Sequence, residues 1–268
     1  MKIGFIGTGN MGGSFLKGLI ISKFVNGESI NIFEKNLELS QKLKKQYNVN
    51  VVLDEIELTQ KSDIIILAIK PNMISSVLGK IKNTLDREKI ILSIAAGISL
   101  EFIEKIIGED KKIVRTMPNT PAQVQEGMTA VSFNKNIKET EKEIIFKLLN
   151  SFGKSVEIEE KLMHAYTGIS GSLPAYVYMF IEALADGGVL EGMPREKTYE
   201  IISQTILGSA KIVLETKKHP GQLKDEVTSP GGTTIEAVKV LENGNFRGTV
   251  IEAVKACTEK SKKMAGEK

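Results

Sequence analysis

Between Ile64 and Ile69 the chain reads Ile-Ile-Ile-Leu-Ala-Ile with no polar residue. A strand with one wet face alternates apolar and polar side chains. An unbroken apolar run belongs to a strand buried on both faces, as in a parallel sheet covered by helices. Further apolar runs lie at 2–6, 30–34, 49–52, 89–94 and 112–116, and helical patterns fill the gaps at 11–23, 36–46, 72–83 and 99–107. This alternation predicts a doubly wound α/β sheet. A strand at 127–133, a helix at 138–151 and a strand near 154–158 extend it.

From His164 onward the pattern is helical. One long helix is expected over 173–191, capped by Ser170 or Ser172, with Pro174 in its first turn and Gly192 and Pro194 ending it. Others are expected over 195–214, after Gly231-Gly232, and over 245–264. The change of pattern places a domain boundary at 160/161, giving an α/β domain over 1–160 and an all-α domain over 161–268. The stretch from Tyr176 to Ile181 is apolar nearly all round, which calls for burial on every side. Neighbouring helices of one chain are not expected to supply it, so a homodimer is inferred.

Composition narrows the class. Apolar residues make up 41% and charged residues 26% of 268, which excludes global disorder. The net charge is +3 and only four of the 36 cations are arginine, so neither nucleic acid nor a membrane surface is an expected partner. The single cysteine, Cys257, rules out an internal disulfide and fits a reduced, cytoplasmic setting; it reads as a small core residue. His164 and His219 lie far apart and read as structural, and no metal site is expected. The opening run is broken by glycines and is too short for a signal peptide. The longest apolar run falls short of the ~20 residues that span a bilayer.

Gly7-Thr8-Gly9-Asn10-Met11-Gly12 is a GxGxxG at the first strand–helix turn. In a Rossmann-type unit the first glycine permits the tight turn, the second lets backbone approach a pyrophosphate, and the third packs helix on strand. The helix N-terminus offers free N–H groups to the phosphates. Ile6 through Met11 are therefore candidate dinucleotide ligands. Glu34 lies 22 positions after Gly12, where an acidic residue hydrogen-bonds the adenosine ribose, which favours NAD. Lys35 beside it would neutralise a 2′-phosphate, which favours NADP; both would also serve as solvated charges at a strand end. Ala68-Ile69-Lys70-Pro71 ends the fourth strand and lines the expected ligand crevice, with Pro71 opening the next helix. Ala95 and Ala96 end the fifth strand, and their small side chains leave room for a flat nicotinamide ring or for close helix–sheet packing.

Thr228-Ser229-Pro230-Gly231-Gly232-Thr233-Thr234 precedes an amphipathic helix. Two readings stand: an anion nest of backbone N–H groups suited to a carboxylate or phosphate, or a helix capped by Thr233 or Thr234. Asn119, in the loop Met117-Pro118-Asn119-Thr120-Pro121, offers both a donor and an acceptor; it is read as shaping the floor between the domains and is a substrate-binding candidate.

These segments, with Gly168-Ile169-Ser170-Gly171-Ser172-Leu173-Pro174-Ala175-Tyr176 and Leu223 through Thr234, resemble the pyrroline-5-carboxylate reductases over nearly the whole chain. The resemblance implies a dinucleotide-binding Rossmann domain followed by an all-α domain that binds substrate and dimerises. It implies reduction of the cyclic imine 1-pyrroline-5-carboxylate to L-proline by NAD(P)H, the last step of proline synthesis, in homodimers or larger oligomers of dimers. It assigns carboxylate and ring nitrogen to Ser229, Gly231, Gly232, Thr233 and Thr234, with the Thr234 hydroxyl beside the nitrogen as the catalytic group. It tilts the coenzyme toward NADPH. Three positions depart from the family pattern: Leu173 before Pro-Ala, Glu55 where an asparagine often touches the ribose, and Glu34. A β-hydroxyacid dehydrogenase would carry a lysine between Gly168 and Met179, and none is there. A non-catalytic nucleotide sensor would keep the glycine loop without needing Thr234.

Overall fold

A computed structural model describes residues 1–266. Glu267 and Lys268, the end of the expected helical domain, lie outside the described residues. Eight strands form one sheet: β1 (Ile3–Ile6), β2 (Ile30–Phe33), β3 (Asn50–Val51), β4 (Ile64–Leu67), β5 (Ile90–Ser93), β6 (Lys112–Met117), β7 (Gly127–Phe133) and β8 (Gly153–Glu157). Their order is β3-β2-β1-β4-β5-β6-β7-β8. Every pairing is parallel except β6 with β7. The strand order reverses beside β1, where open α/β sheets bind their ligands.

Helices α1 (Asn10–Ile21), α2 (Leu37–Tyr47), α3 (Glu55–Gln60), α4 (Pro71–Ile81), α5 (Leu100–Ile107) and α6 (Glu139–Leu149) connect the strands. The unbroken apolar run of β4 is explained by its two faces. Ile64 and Ile66 belong to one core with Phe5, Phe15 and Phe152, while Ile65 and Leu67 belong to a second with Ile74, Leu78 and Ile103. Local capping sets the helix starts. Asn36 accepts from the Leu39 amide at 3.1 Å, and Ser99 accepts from the Phe102 amide at 3.1 Å. At the head of β7 and β8, Gly127 pairs in register with Gly153, and a Cβ on Gly153 would lie 2.0 Å from the Gly127 carbonyl oxygen.

The six-residue α3 was not expected from sequence, being too short to display a helical period. Its signal was Asp54-x-x-Glu57: Asp54 accepts from the Glu57 amide and Glu57 from the Leu53 amide, each at 2.7 Å.

The chain divides into two compact units, Met1–Gly171 together with the residues from Cys257 onward, and Ser172–Ala256. The sequence-based boundary at 160/161 falls within the first unit. There α7 (Met163–Tyr166) and a π-helical turn (Thr167–Gly171) follow β8, and Met163 and Tyr166 pack on Ala130 of β7. The helices beyond are α8 (Leu173–Leu190), α9 (Arg195–Thr216), α10 (Pro220–Glu226), α11 (Thr233–Asn243) and α12 (Phe246–Met264). Ser172 is the N-cap of α8 but makes no capping bond, and the Ser170 hydroxyl donates to the Tyr166 hydroxyl instead, so the expected cap is not made. Cys257 is half-buried in α12 rather than a core residue, because that helix has no fully buried side chain. His164 is buried with Nδ1 2.9 Å from the Ser261 hydroxyl, and His219 caps α10 by accepting from the Gly221 amide at 3.1 Å.

In the second unit α8 and α9 bury only Ala185 and Thr198. Tyr178 and Met179 are 60% and 69% exposed. By length and composition alone the helical run Glu160–Leu190 holds a window of 18 residues apolar enough to pass for a membrane span, with mean hydropathy 1.2. The shorter helical pieces join into this one run, whose polar interruptions keep it from being a continuous apolar stretch.

Behind α1, Phe15 stacks on Phe152 with ring centroids 3.8 Å apart, and both rings are fully buried. Phe152→Ala should lower unfolding free energy by about 3–5 kcal/mol, read as a shifted urea midpoint at unchanged slope.

Candidate active site

The turn from β1 into α1 is built around close approach. Gly7 has φ +88, and a Cβ there would lie 2.6 Å from the Ala68 carbonyl oxygen. A Cβ on Gly12 would lie 2.6 Å from the Gly7 carbonyl oxygen and 2.9 Å from the Ala68 Cβ. Gly9 differs: a Cβ there would meet nothing within 4 Å. Its missing side chain serves the open space in front of the turn, not packing. Gly9 is also the N-cap of α1 and no side chain caps the helix, so its leading N–H groups have no side-chain acceptor.

Glu34 closes β2 against this turn. Its Oε2 accepts from the Thr8 amide at 2.8 Å and the Thr8 hydroxyl at 3.1 Å, while Oε1 accepts from the Asn36 amide at 3.0 Å. Burial pushes its pKa up, but the bonds from Asn36 and Thr8 together outweigh that and hold the carboxyl below its ordinary range. Glu55, at the start of α3, is 5% exposed and meets Lys80 Nζ at 3.1 Å.

A cavity of about 310 Å³ opens here, and Ile6, Gly7, Gly9, Glu34, Lys35, Ala68, Ile69 and Lys70 line it together with Phe33, Glu55, Met73 and Val77. Thr8 and Asn10 line a neighbouring cavity of about 470 Å³ that reaches α2 through Lys42 and Gln46. Pro71 opens α4. Met11 packs on the core under the sheet. Ala95 is buried in the second core, its amide 3.3 Å from the Ser93 hydroxyl, and Ala96 is exposed; neither lines these cavities. Reading the sequence named Glu55 only as a departure from a family pattern. Its place in the wall follows from α3, whose cap was the signal available.

The candidate substrate residues divide between the units. Asn119, in the first, donates to the Ser170 carbonyl and hydroxyl, both at 3.3 Å, and accepts from the Met128 amide at 2.9 Å. Its amide group therefore ties the loop after β6 to the π turn and to β7. Ser229 to Thr234 lie in the second. Gly231 has φ +68, the Gly232 amide donates to the Ser229 carbonyl at 3.1 Å, and Gly232 is the N-cap of α11. No side chain caps α11, so the reading of Thr233 or Thr234 as caps fails; they are its first two helical residues. The leading N–H groups of α11 and the Ser229, Thr233 and Thr234 hydroxyls are left beside a sharp bend.

The glycine cradle fits a dinucleotide pyrophosphate, since Gly9 leaves open exactly the volume a side chain would fill in front of uncapped N–H groups. Fold and site together define an oxidoreductase of the Rossmann dinucleotide class. The chain belongs to the pyrroline-5-carboxylate reductase family: it is 46% identical to that enzyme of Escherichia coli K12 over 98% of both chains. A family model described as pyrroline-5-carboxylate reductase dimerisation matches residues 160–264, and one described as NADP oxidoreductase, coenzyme F420-dependent, matches residues 2–97. Among solved structures, a Plasmodium falciparum pyrroline carboxylate reductase with NADP bound superposes with a TM-score of 0.89 at 39% identity, covering 99% of this chain and 98% of that one. The Coxiella burnetii pyrroline-5-carboxylate reductase gives 0.93 at 32% identity, covering 100% and 98%.

Two glycine variants separate packing from ligand contact. Gly7→Ala should cost about 1–3 kcal/mol of stability through strain at positive φ. Gly9→Ala should stay within about 1 kcal/mol of the parent and still weaken NAD(P)H binding roughly tenfold by obstructing the pyrophosphate. Urea titration and nicotinamide fluorescence read the two effects.

Proposed function

We propose that this chain reduces 1-pyrroline-5-carboxylate to L-proline with NAD(P)H, the closing step of proline synthesis. The observation that carries the reading is the Gly7–Gly12 cradle in a chain that aligns end to end with reductases of that name.

In the reaction the imine carbon gains a hydride and the imine nitrogen gains a proton. The reduced nicotinamide, when bound, supplies the hydride. The N–H groups at the start of α1 hold the pyrophosphate, Glu34 and Lys35 face the adenosine ribose, and Ala68 to Lys70 form the wall of the crevice. The N–H groups at the start of α11, with Ser229 and Thr233, anchor the substrate carboxylate at the positive end of the helix dipole. The Thr234 hydroxyl polarises the imine nitrogen and relays a proton to it. A threonine hydroxyl has no pKa near neutrality, so water is the ultimate proton source in this scheme.

The apolar surface of the second unit supports a homodimer, since α8 and α9 leave large apolar side chains uncovered that a second copy would bury. The same burial accounts for the apolar character of Glu160–Leu190 without a bilayer. A cytoplasmic location fits a biosynthetic reductase with one thiol.

Oxidation of NADPH or NADH, followed by absorbance, should depend on added pyrroline-5-carboxylate; no loss of absorbance with either coenzyme would refute the reaction. Thr234→Ala should lower kcat about tenfold or more while coenzyme Kd stays within about twofold, and Thr234→Ser should recover most of the loss. Light scattering should give at least twice the 29.4 kDa chain mass; a single-chain mass would sink the dimer.

A further inference from the structure

Two carboxylates from different elements line the coenzyme cavity. Glu34 projects from the end of β2, and three hydrogen bonds, two from Thr8 and one from Asn36, fix its position. It cannot swing aside without releasing the amide of the glycine turn. Glu55 enters from α3 and is nearly fully buried, while its ion-pair partner Lys80 is 53% exposed. A glutamate is seldom buried unless well paired, and one solvent-facing ammonium compensates it weakly. Lys35 and Lys70 share the cavity, but both are exposed, and water and salt screen charges on such flexible stems.

We propose that Glu34 and Glu55 together make this chain select NAD(H) over NADP(H). A ribose 2′-hydroxyl is a donor that a fixed carboxylate accepts. A 2′-phosphate would bring negative charge against one immobilised and one buried carboxylate, and such like-charge contact discriminates strongly. The inference rests on the dinucleotide reading above and sharpens it. It runs against the tilt toward NADPH that family resemblance gave.

The test is calorimetric titration of the full chain with ADP-ribose and with 2′-phospho-ADP-ribose, without imine and without turnover. The unphosphorylated ligand should bind at least about tenfold more tightly. In the Glu34→Gln, Glu55→Gln double variant the ratio should fall to about one or reverse, since glutamine keeps an acceptor for Thr8 but removes the charge. A thermal midpoint near the parent's certifies folding; should the double variant unfold, Glu34→Gln alone should still move the ratio in the same direction. Equal or tighter binding of the 2′-phosphate by the parent, or an unchanged ratio in a folded variant, overturns the proposal. Failure to turn over pyrroline-5-carboxylate is a separate result: it strikes the proposed reaction and leaves the binding ratio standing.

Discussion

The N-terminus of α1 sits against the carboxyl ends of β1 and β4 at a separation that admits no side chain. Gly7 and Gly12 face each other across that gap, with the Ala68 carbonyl as the third wall. Because the helix is drawn in so far, its uncapped N–H groups stand at the strand order's reversal point rather than out in solvent. The stacked pair Phe15 and Phe152 holds the other side of the same helix, so the cradle is gripped from behind by core packing. Glu34 then reaches across from β2 to Thr8, which joins two neighbouring strand ends through one carboxylate.

Charge organises the site as much as shape does. The cavity wall carries Glu34, Glu55, Lys35 and Lys70; Glu34 is held by Thr8 and Asn36, Glu55 is buried against Lys80, and Lys35 and Lys70 are exposed. The negative groups of that wall are thus bonded or buried and the positive ones solvated.

The α/β half was legible in the sequence because burial inside one chain writes its own pattern. The unbroken aliphatic strand at 64–67, buried on both faces, and the glycine turn each have one physical solution. What escaped has physical reasons too. Helix α3 has six residues, too few to show a period, and with it went the placement of Glu55 in the cavity wall. The cap expected from Ser170 or Ser172, and the one open to Thr233 or Thr234 as an alternative to an anion nest, were not made, since residue type gives capacity for a bond and only backbone position decides whether it forms. Asn119 was legible as a polar group with a donor and an acceptor, but its bonds to Ser170 and to the Met128 amide join segments far apart in the chain and so left no local pattern. The helices of the second unit were legible as helices, but Tyr178 and Met179 stay exposed within their own chain, so their apolar pattern did not translate into a core.

At the head of the last two strands, Gly153 has no room for a branch because the Gly127 backbone fills that space, and Gly127 has none because Ala122 and the Phe152 carbonyl crowd it. A methyl gained at position 153 would have to be answered by a displaced strand, and the far edge of the sheet would move with it. Sequence change along that edge is therefore channelled into positions that face outward, and the two smallest residues in the pairing are the least free to vary.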